Sequence, residues 1–215
     1  MPALSSLTRT GVLHLQDLHF AYPGQPAIAA GWSASINAGV TLLHGDIGSG
    51  KSTLLRVLAG ALPATGRLTL AGTCLGDDPK AYRRQVFLCD RASDAFDQVS
   101  ARACTASLGA DDAGFRQDRW QALVDGFALA PHIDKPLYML STGSRHKVWL
   151  AAVLASGRAL ILLDEPTAGL DAASVRCLWS ALTDLASQPG RAIVIASTDR
   201  IDRVPLAGCI ELPLG

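Results

Sequence analysis

Residues 40–60 read VTLLHGDIGSGKSTLLRVLAG, and this stretch decides the fold. Residues 40–44 form a buried-type apolar run of strand length. Leu54, Leu55, Val57, Leu58 and Ala59 recur with helical periodicity and stop at Gly60. Between the two lies Gly45-Asp46-Ile47-Gly48-Ser49-Gly50-Lys51-Ser52-Thr53, which matches G-x-x-x-x-G-K-S/T in the strand-to-helix context the motif requires. Such a loop captures phosphate. Its glycines let successive backbone N–H groups turn inward, the helix N-terminus adds partial positive charge, and Lys51 neutralises the outer phosphate oxygens. Ser52 then offers its hydroxyl to Mg²⁺.

Outward from this unit, residues 12–22 alternate apolar and polar, with Leu13, Leu15, Leu18 and Phe20 as core candidates before Pro23-Gly24 ends the strand. Residues 31–36 predict a second strand, 67–71 an exposed one and 85–89 a short buried one. Residues 93–113 are polar, Ala-rich and weakly patterned. Asp118 is placed to cap a helix carrying Trp120, Leu123, Val124 and Phe127 on one face. This section, about residues 91–145, is assigned to a small helical subdomain within a single domain spanning 1–215. Residues 147–155 predict a fully buried helix, and Val175, Leu178, Trp179, Leu182 and Leu185 an amphipathic one ending before Gly190. The apolar runs 160–163 and 192–196 complete an alternation of buried strands and helices, which implies an α/β fold with a parallel sheet covered on both faces.

Composition narrows the function classes. The 215-residue chain is 49% apolar and 18% charged, enough for one substantial core and too apolar for disorder. Lys plus Arg and Asp plus Glu balance at 19 each, so no whole-domain field favours nucleic acid or anionic lipid. Cys74, Cys89, Cys104, Cys177 and Cys209 are scattered without CxxC pairing and read as reduced packing residues. The N-terminus lacks an apolar core of signal-peptide length, and the most hydrophobic stretch, 148–163, is broken by Ser156-Gly157-Arg158. No membrane span is expected, so transport would require a separate membrane partner.

A second chemical motif follows. Leu160-Ile161-Leu162-Leu163-Asp164-Glu165 is an apolar strand ending in two carboxylates. Such a strand delivers Asp164 to the sheet edge beside the phosphate loop, where it would hold Mg²⁺ through water. Glu165, one residue on, stands where a general base would polarise a water attacking the γ-phosphate.

Leu140-Ser141-Thr142-Gly143-Ser144 precedes that strand, and with ILLDEPTAGLD at residues 161–171 it resembles the ATP-binding cassette family. The family's signature LSGGQ is matched as LSTGS, followed by Arg145-His146-Lys147, and residues 161–171 resemble its Walker B and D-loop almost without departure. The resemblance covers essentially the whole chain. It implies a P-loop NTPase core with a small antiparallel β subdomain and a helical signature subdomain. It also implies ATP and Mg²⁺ as ligands and Tyr22 as the aromatic stacking on adenine. Finally, it implies a head-to-tail dimer, homomeric or heteromeric, in which Ser141, Gly143 and the D-loop residue Asp171 close over the partner's nucleotide.

Two positions depart from the family pattern. Asp90 stands where the Q-loop glutamine is expected; as a hard oxygen donor it suits Mg²⁺, but when ionised it donates no hydrogen bond. Thr198 stands where the switch histidine is expected, or Ser197 if the alignment slips by one, and neither carries positive charge. The resemblance therefore predicts an ATPase slowed by both replacements. Its leading role is the energising subunit of a transporter, cytoplasmic and peripheral on the inner face of the membrane, with a separate permease. The chain's brevity is similar to that of haem-exporter cassettes, a likeness of length more than of motifs. The alternative is a non-transport or regulatory cassette that switches by slow, nucleotide-dependent dimerisation. Nucleic acid is not expected, since no coiled-coil insertion and no basic linker between tandem cassettes is present.

Overall fold

The strands divide between two sheets according to how many faces are covered. A computed structural model of the protein describes residues 11–89 and 96–214. In it β1 (Gly11–Ala21), β2 (Ala27–Asn37), β4 (Thr65–Leu70) and β5 (Thr73–Cys74) form an antiparallel sheet in the order β2-β1-β4-β5. A parallel sheet has the order β6-β7-β8-β3-β9, from β3 (Gly39–His44), β6 (Val86–Cys89), β7 (Leu160–Asp164), β8 (Ala192–Ser197) and β9 (Leu206–Glu211). The helices are α1 (Lys51–Leu58), α2 (Pro79–Arg84), α3 (Ala101–Gly109), α4 (Gln117–Gly126), α5 (Thr142–Ala155) and α6 (Ala172–Ala186). None is long and apolar enough to cross a membrane among the described residues. The result is the α/β nucleotide-binding fold expected from residues 40–60, with the smaller antiparallel sheet beside it.

The central parallel strands β7 and β8 are apolar almost throughout because successive side chains enter two different cores. Ile161, Leu163, Ile193 and Ile195 join Val148, Leu150, Leu178 and Leu182 on the side of α5 and α6. Leu160, Leu162, Ala192, Val194 and Ala196 join Leu54, Leu55 and Leu58 of α1 and Leu13 and Leu15 of β1. A strand with only one covered face would have alternated with polar residues.

The register decides where the chemistry lies. His44 pairs with Ser197 and Asp164 with Ala196, so the C-terminal ends of β3, β7 and β8 finish at one level. The segments leaving these ends bring in Lys51, at the start of α1, with Glu165 and Thr198.

Several elements differ from the sequence expectations, each for a local reason. In β1, Leu13, Leu15 and Leu18 are buried although 15 and 18 differ in parity. A bulge resets the phase: Asp17 takes φ 52, and its N–H donates to Ser33 Oγ at 2.9 Å. Phe20 is only partly buried. Asp118 is not the cap of α4. The cap position is Arg116, whose guanidinium binds the Asp118 carboxylate at 2.6 and 2.9 Å and lowers its pKa to about 2. Helix α2, capped by Asp78 with Pro79 in its first turn, was not anticipated, nor was edge strand β9. Tyr82 of α2 is fully buried and its hydroxyl donates to the Leu58 carbonyl at 2.8 Å.

A tight joint fixes α5 to the turn after α3. Asp112 accepts from Ser156 Oγ at 2.6 Å, the Gly157 N–H at 2.8 Å and the Gly114 N–H at 3.0 Å. The two glycines touch, and a Cβ on Gly157 would lie 2.3 Å from the Gly114 Cα. Gly157→Ala is therefore expected to destabilise the fold by about 2–3 kcal/mol, since backbone must shift to admit the methyl. Thermal denaturation should show a midpoint lower by roughly 5–10 °C; a midpoint equal to wild type would mean the joint yields freely.

Candidate functional site

The phosphate loop bridges β3 and α1. Gly48 and Gly50 take φ 81 and 96, a left-handed conformation that side chains rarely adopt. At Gly50 a Cβ would also lie 2.8 Å from the Ile28 side chain. Gly50 occupies the N-cap of α1 with no side-chain cap, so the first-turn amides keep their donors for an external anion. Ser49 Oγ is buried without a hydrogen-bond partner, and the Ser49 N–H bonds the Asp46 carbonyl at 3.1 Å. Ile47 lies exposed at the tip.

Lys51 is 7% exposed and spans the loop, donating to the Gly45 carbonyl at 2.7 Å and the Asp46 carbonyl at 2.9 Å. A buried ammonium satisfied by two neutral carbonyls lies in a site suited to a more strongly charged acceptor. Uncapped amides, an orphaned hydroxyl and a buried cation together fit a polyphosphate.

Glu165 follows the last residue of β7 and takes φ 43, at a cost of about 1 kcal/mol or more for a residue with a side chain. Its N–H bonds the Ala196 carbonyl at 2.9 Å, and Oε1 lies 3.8 Å from Lys51 Nζ. The same Oε1 accepts the Thr198 backbone N–H at 2.8 Å. Thr198 thus reaches Glu165 through its main chain, a contact the sequence reading, concerned with its side chain, did not foresee. Ser197, the alternative position, is the buried last residue of β8, and its hydroxyl accepts from the Asp199 N–H at 3.0 Å.

Ser52 begins α1 beside Lys51, and Asp164 ends β7 beside Glu165. Among the described residues no three His, Cys, Asp or Glu side chains group as a metal site. One hydroxyl and one carboxylate fit Mg²⁺ only if phosphate oxygens and water complete its shell. Asp90, the third expected ligand, lies outside the described residues.

Tyr22 lies in the turn after β1. Its hydroxyl is 3.4 Å from Thr53 Oγ1, and its ring stands edge-on to Phe20 with centroids 5.1 Å apart. At 37% exposure it is a surface aromatic beside α1 rather than a core residue.

Ser141, Gly143 and Asp171 form a second group. Ser141 caps α5, its Oγ accepting the Ser144 N–H at 3.1 Å. Asp171 caps α6, accepting the Ser174 N–H at 2.9 Å, and bonds Lys147 at 2.5 Å. The Lys147 hydrogen bond is the main cause holding the Asp171 carboxyl well below the usual range, with the Ser174 amide adding to it. His146 Nδ1 lies 3.2 Å from the Ala168 carbonyl, and a Cβ on Gly143 would lie 3.0 Å from the Gly169 carbonyl. The roles of His146 and Lys147 as ties between α5 and the turn at 166–171 were missed, although the basic run at 145–147 signalled charge there.

The sequence model described as ABC transporter matches residues 30–168 of this chain. A cytochrome c biogenesis ATP-binding export protein of Rhodospirillum rubrum is 37% identical over 193 residues, covering 89% of this chain and 81% of the relative. A cobalt import ATP-binding protein of Rhodobacter capsulatus is 35% identical over 201 residues, covering 88% and 71%. Among solved structures, a putative ABC transporter ATP-binding protein from Pyrococcus furiosus superposes with a TM-score of 0.74 at 18% identity, covering 93% of this chain and 96% of that one. That last likeness carries the fold alone. With the family model spanning more than half of the chain and relatives above 30% identity matched over most of their length, the chain belongs to the ABC transporter family, as an ATP-binding cassette.

Proposed function

We propose that this chain, a single cassette domain with its helical subdomain at about 91–145, is the ATP-hydrolysing subunit of a transporter. It would energise a separate permease from the cytoplasmic face of the inner membrane, through ATP-driven head-to-tail dimerisation. The observation that carries this reading is the meeting of a carboxylate and a buried ammonium, Glu165 Oε1 and Lys51 Nζ 3.8 Å apart, at the mouth of the phosphate loop. Relatives named as a cytochrome c biogenesis ATP-binding export protein and a cobalt import ATP-binding protein support transport without fixing cargo or direction.

Lys51 would leave the Gly45 and Asp46 carbonyls for phosphate oxygens, a stronger partner for a desolvated ammonium. The amides of the loop and of the first turn of α1 would hold the same phosphates. Ser52 and Asp164 would hold Mg²⁺, which when bound would supply positive charge to offset that of the phosphates. Glu165, kept toward the mouth by the Thr198 N–H, would accept the proton of the attacking water. Ser141 and Gly143 at the start of α5 and Asp171 at the start of α6 would meet the nucleotide of a second cassette.

Thr198 brings no imidazole, so hydrolysis by the isolated chain should be slow, which also lends support to the second reading as a slow nucleotide switch. Charge and proton-transfer contributions at such positions are worth about 10²- to 10³-fold. Thr198→His is expected to raise kcat toward that range without lowering the Kd for ATP, because the gain is confined to the transition state. Asp90→Gln alters the second position that departs from the family pattern, and two changes at positions the family uses together need not add. Steady-state phosphate release from wild type, both single variants and the double variant checks this. Equal, brisk turnover by all four would show that the two replacements are neutral.

A further inference from the structure

We propose that Thr198 serves the reaction through its main chain, its N–H holding the Glu165 carboxylate, and that an Arg200–Glu211–His44 bridge positions that N–H. This rests on the reading of Glu165 as the base. Glu165 sits in a left-handed bend beyond the end of β7, and one of its oxygens is fixed by the Thr198 amide at 2.8 Å. That amide belongs to a segment without regular structure between β8 and β9, so its position depends on whatever ties the segment down.

Beyond the local Asp199 N–H bond to Ser197 Oγ, two longer-range ties hold the segment. On the core side, Val204 is buried and Ile201 packs against the larger cluster. On the solvent side, Arg200 Nη1 lies 2.9 Å from Glu211 Oε1, and Glu211 Oε2 lies 2.9 Å from His44 Nδ1. Cys209 Sγ also donates to Glu211 Oε1 at 3.4 Å. His44 is the last residue of β3, and the next residue, Gly45, offers its carbonyl to Lys51. The His44 carbonyl in turn accepts the Leu212 N–H at 2.8 Å, locking β9 to β3 at this level. The bridge therefore references the Thr198 segment to the base of the phosphate loop. The two groups that must face one phosphate, Lys51 and Glu165, are held in one frame from opposite sides.

Arg200 and Glu211 are largely exposed, so their pairing adds little to stability. Its effect is one of placement, and misplacement of a reacting group is costly even when the fold is intact. A threonine side chain supplies no charge here. An amide supplies a neutral donor whose direction is set by backbone alone, which is why anchoring matters more in this chain than a side-chain contact would require.

Two readouts test this on the full chain: hydrogen exchange of the Thr198 amide without nucleotide, and kcat against KM for Mg·ATP. Glu165→Ala should accelerate exchange at Thr198, by about tenfold or more, because it removes the acceptor. Arg200→Ala and Glu211→Ala should each accelerate the same amide and lower kcat about three- to tenfold while leaving KM unchanged. Arg200→Lys should restore most of both, since it keeps the charge. Wild-type exchange and wild-type kcat in Arg200→Ala and Glu211→Ala would overturn the bridge's role. An unprotected Thr198 amide in the wild type would overturn the main-chain contact. Absence of any wild-type turnover would instead overturn the ATPase reading, leaving exchange alone to decide the bridge.

Discussion

Lys51→Ala is expected to abolish the stabilisation of this protein by Mg·ATP. The ammonium is buried across the phosphate loop and bonds the Gly45 and Asp46 carbonyls, so alanine removes the one side-chain cation seen spanning that loop. A ligand that binds only the folded state adds about 2.7 kcal/mol at a concentration of one hundred times its Kd. For a chain of this size that is roughly 5–10 °C in melting temperature. The variant should show none of it. It should also melt somewhat lower without nucleotide, since two carbonyls lose their donor. A melting curve that still rises with Mg·ATP as in the wild type would remove the nucleotide site from residues 45–53.

Glu165→Gln is expected to keep ATP binding and to trap the nucleotide-bound dimer. Glutamine retains an oxygen that can accept the Thr198 N–H, so the bend after β7 has no reason to rearrange. What it loses is basicity: a carboxamide takes no proton from water, and hydrolysis should fall by at least about 10²-fold. With the γ-phosphate uncleaved, the contacts proposed for it with the phosphate loop and with the Ser141 segment of a second cassette should persist. Sedimentation at saturating Mg·ATP should then report roughly twice the 22.5 kDa of one chain. A strict monomer, with any partner cassette also excluded, would sink the sandwich mechanism.

The parts of the fold legible in the sequence are those where one residue type is demanded by one physical need. Residues 45–53 had to be glycine-rich and carry a lysine, and both-face burial forced apolar runs at 160–163 and 192–196. Less legible were features that depend on backbone geometry. Alternation in β1 fails across Asp17 because a bulge adds a residue, and no side-chain pattern announces that. Edge strand β9 has one partner and mixed exposure, so its residues obey neither the buried nor the alternating template. Arg116 took the cap position expected for Asp118 because the acidic side chain was already engaged by that arginine. At the candidate site the sequence names the residues of the phosphate loop and the two carboxylates at Asp164 and Glu165 one by one. It does not name the link from Thr198 to Glu165, because that link is made by an N–H that every residue except proline possesses.

The ties between α5 and the turn at 166–171 have a consequence for association. Lys147 to Asp171, His146 to the Ala168 carbonyl and the close approach of Gly143 to Gly169 join the first turns of α5 and the turn at 166–171 into one preformed face. Binding two independent loops would freeze the motions of each, at roughly 0.5–1.5 kcal/mol for every mobile side chain brought to rest. Here much of that order exists before any encounter. If a second cassette docks here, a surface arriving at Ser141 would meet Asp171 already in register, and recognition at this edge would behave as a single event in which releasing one contact loosens the other.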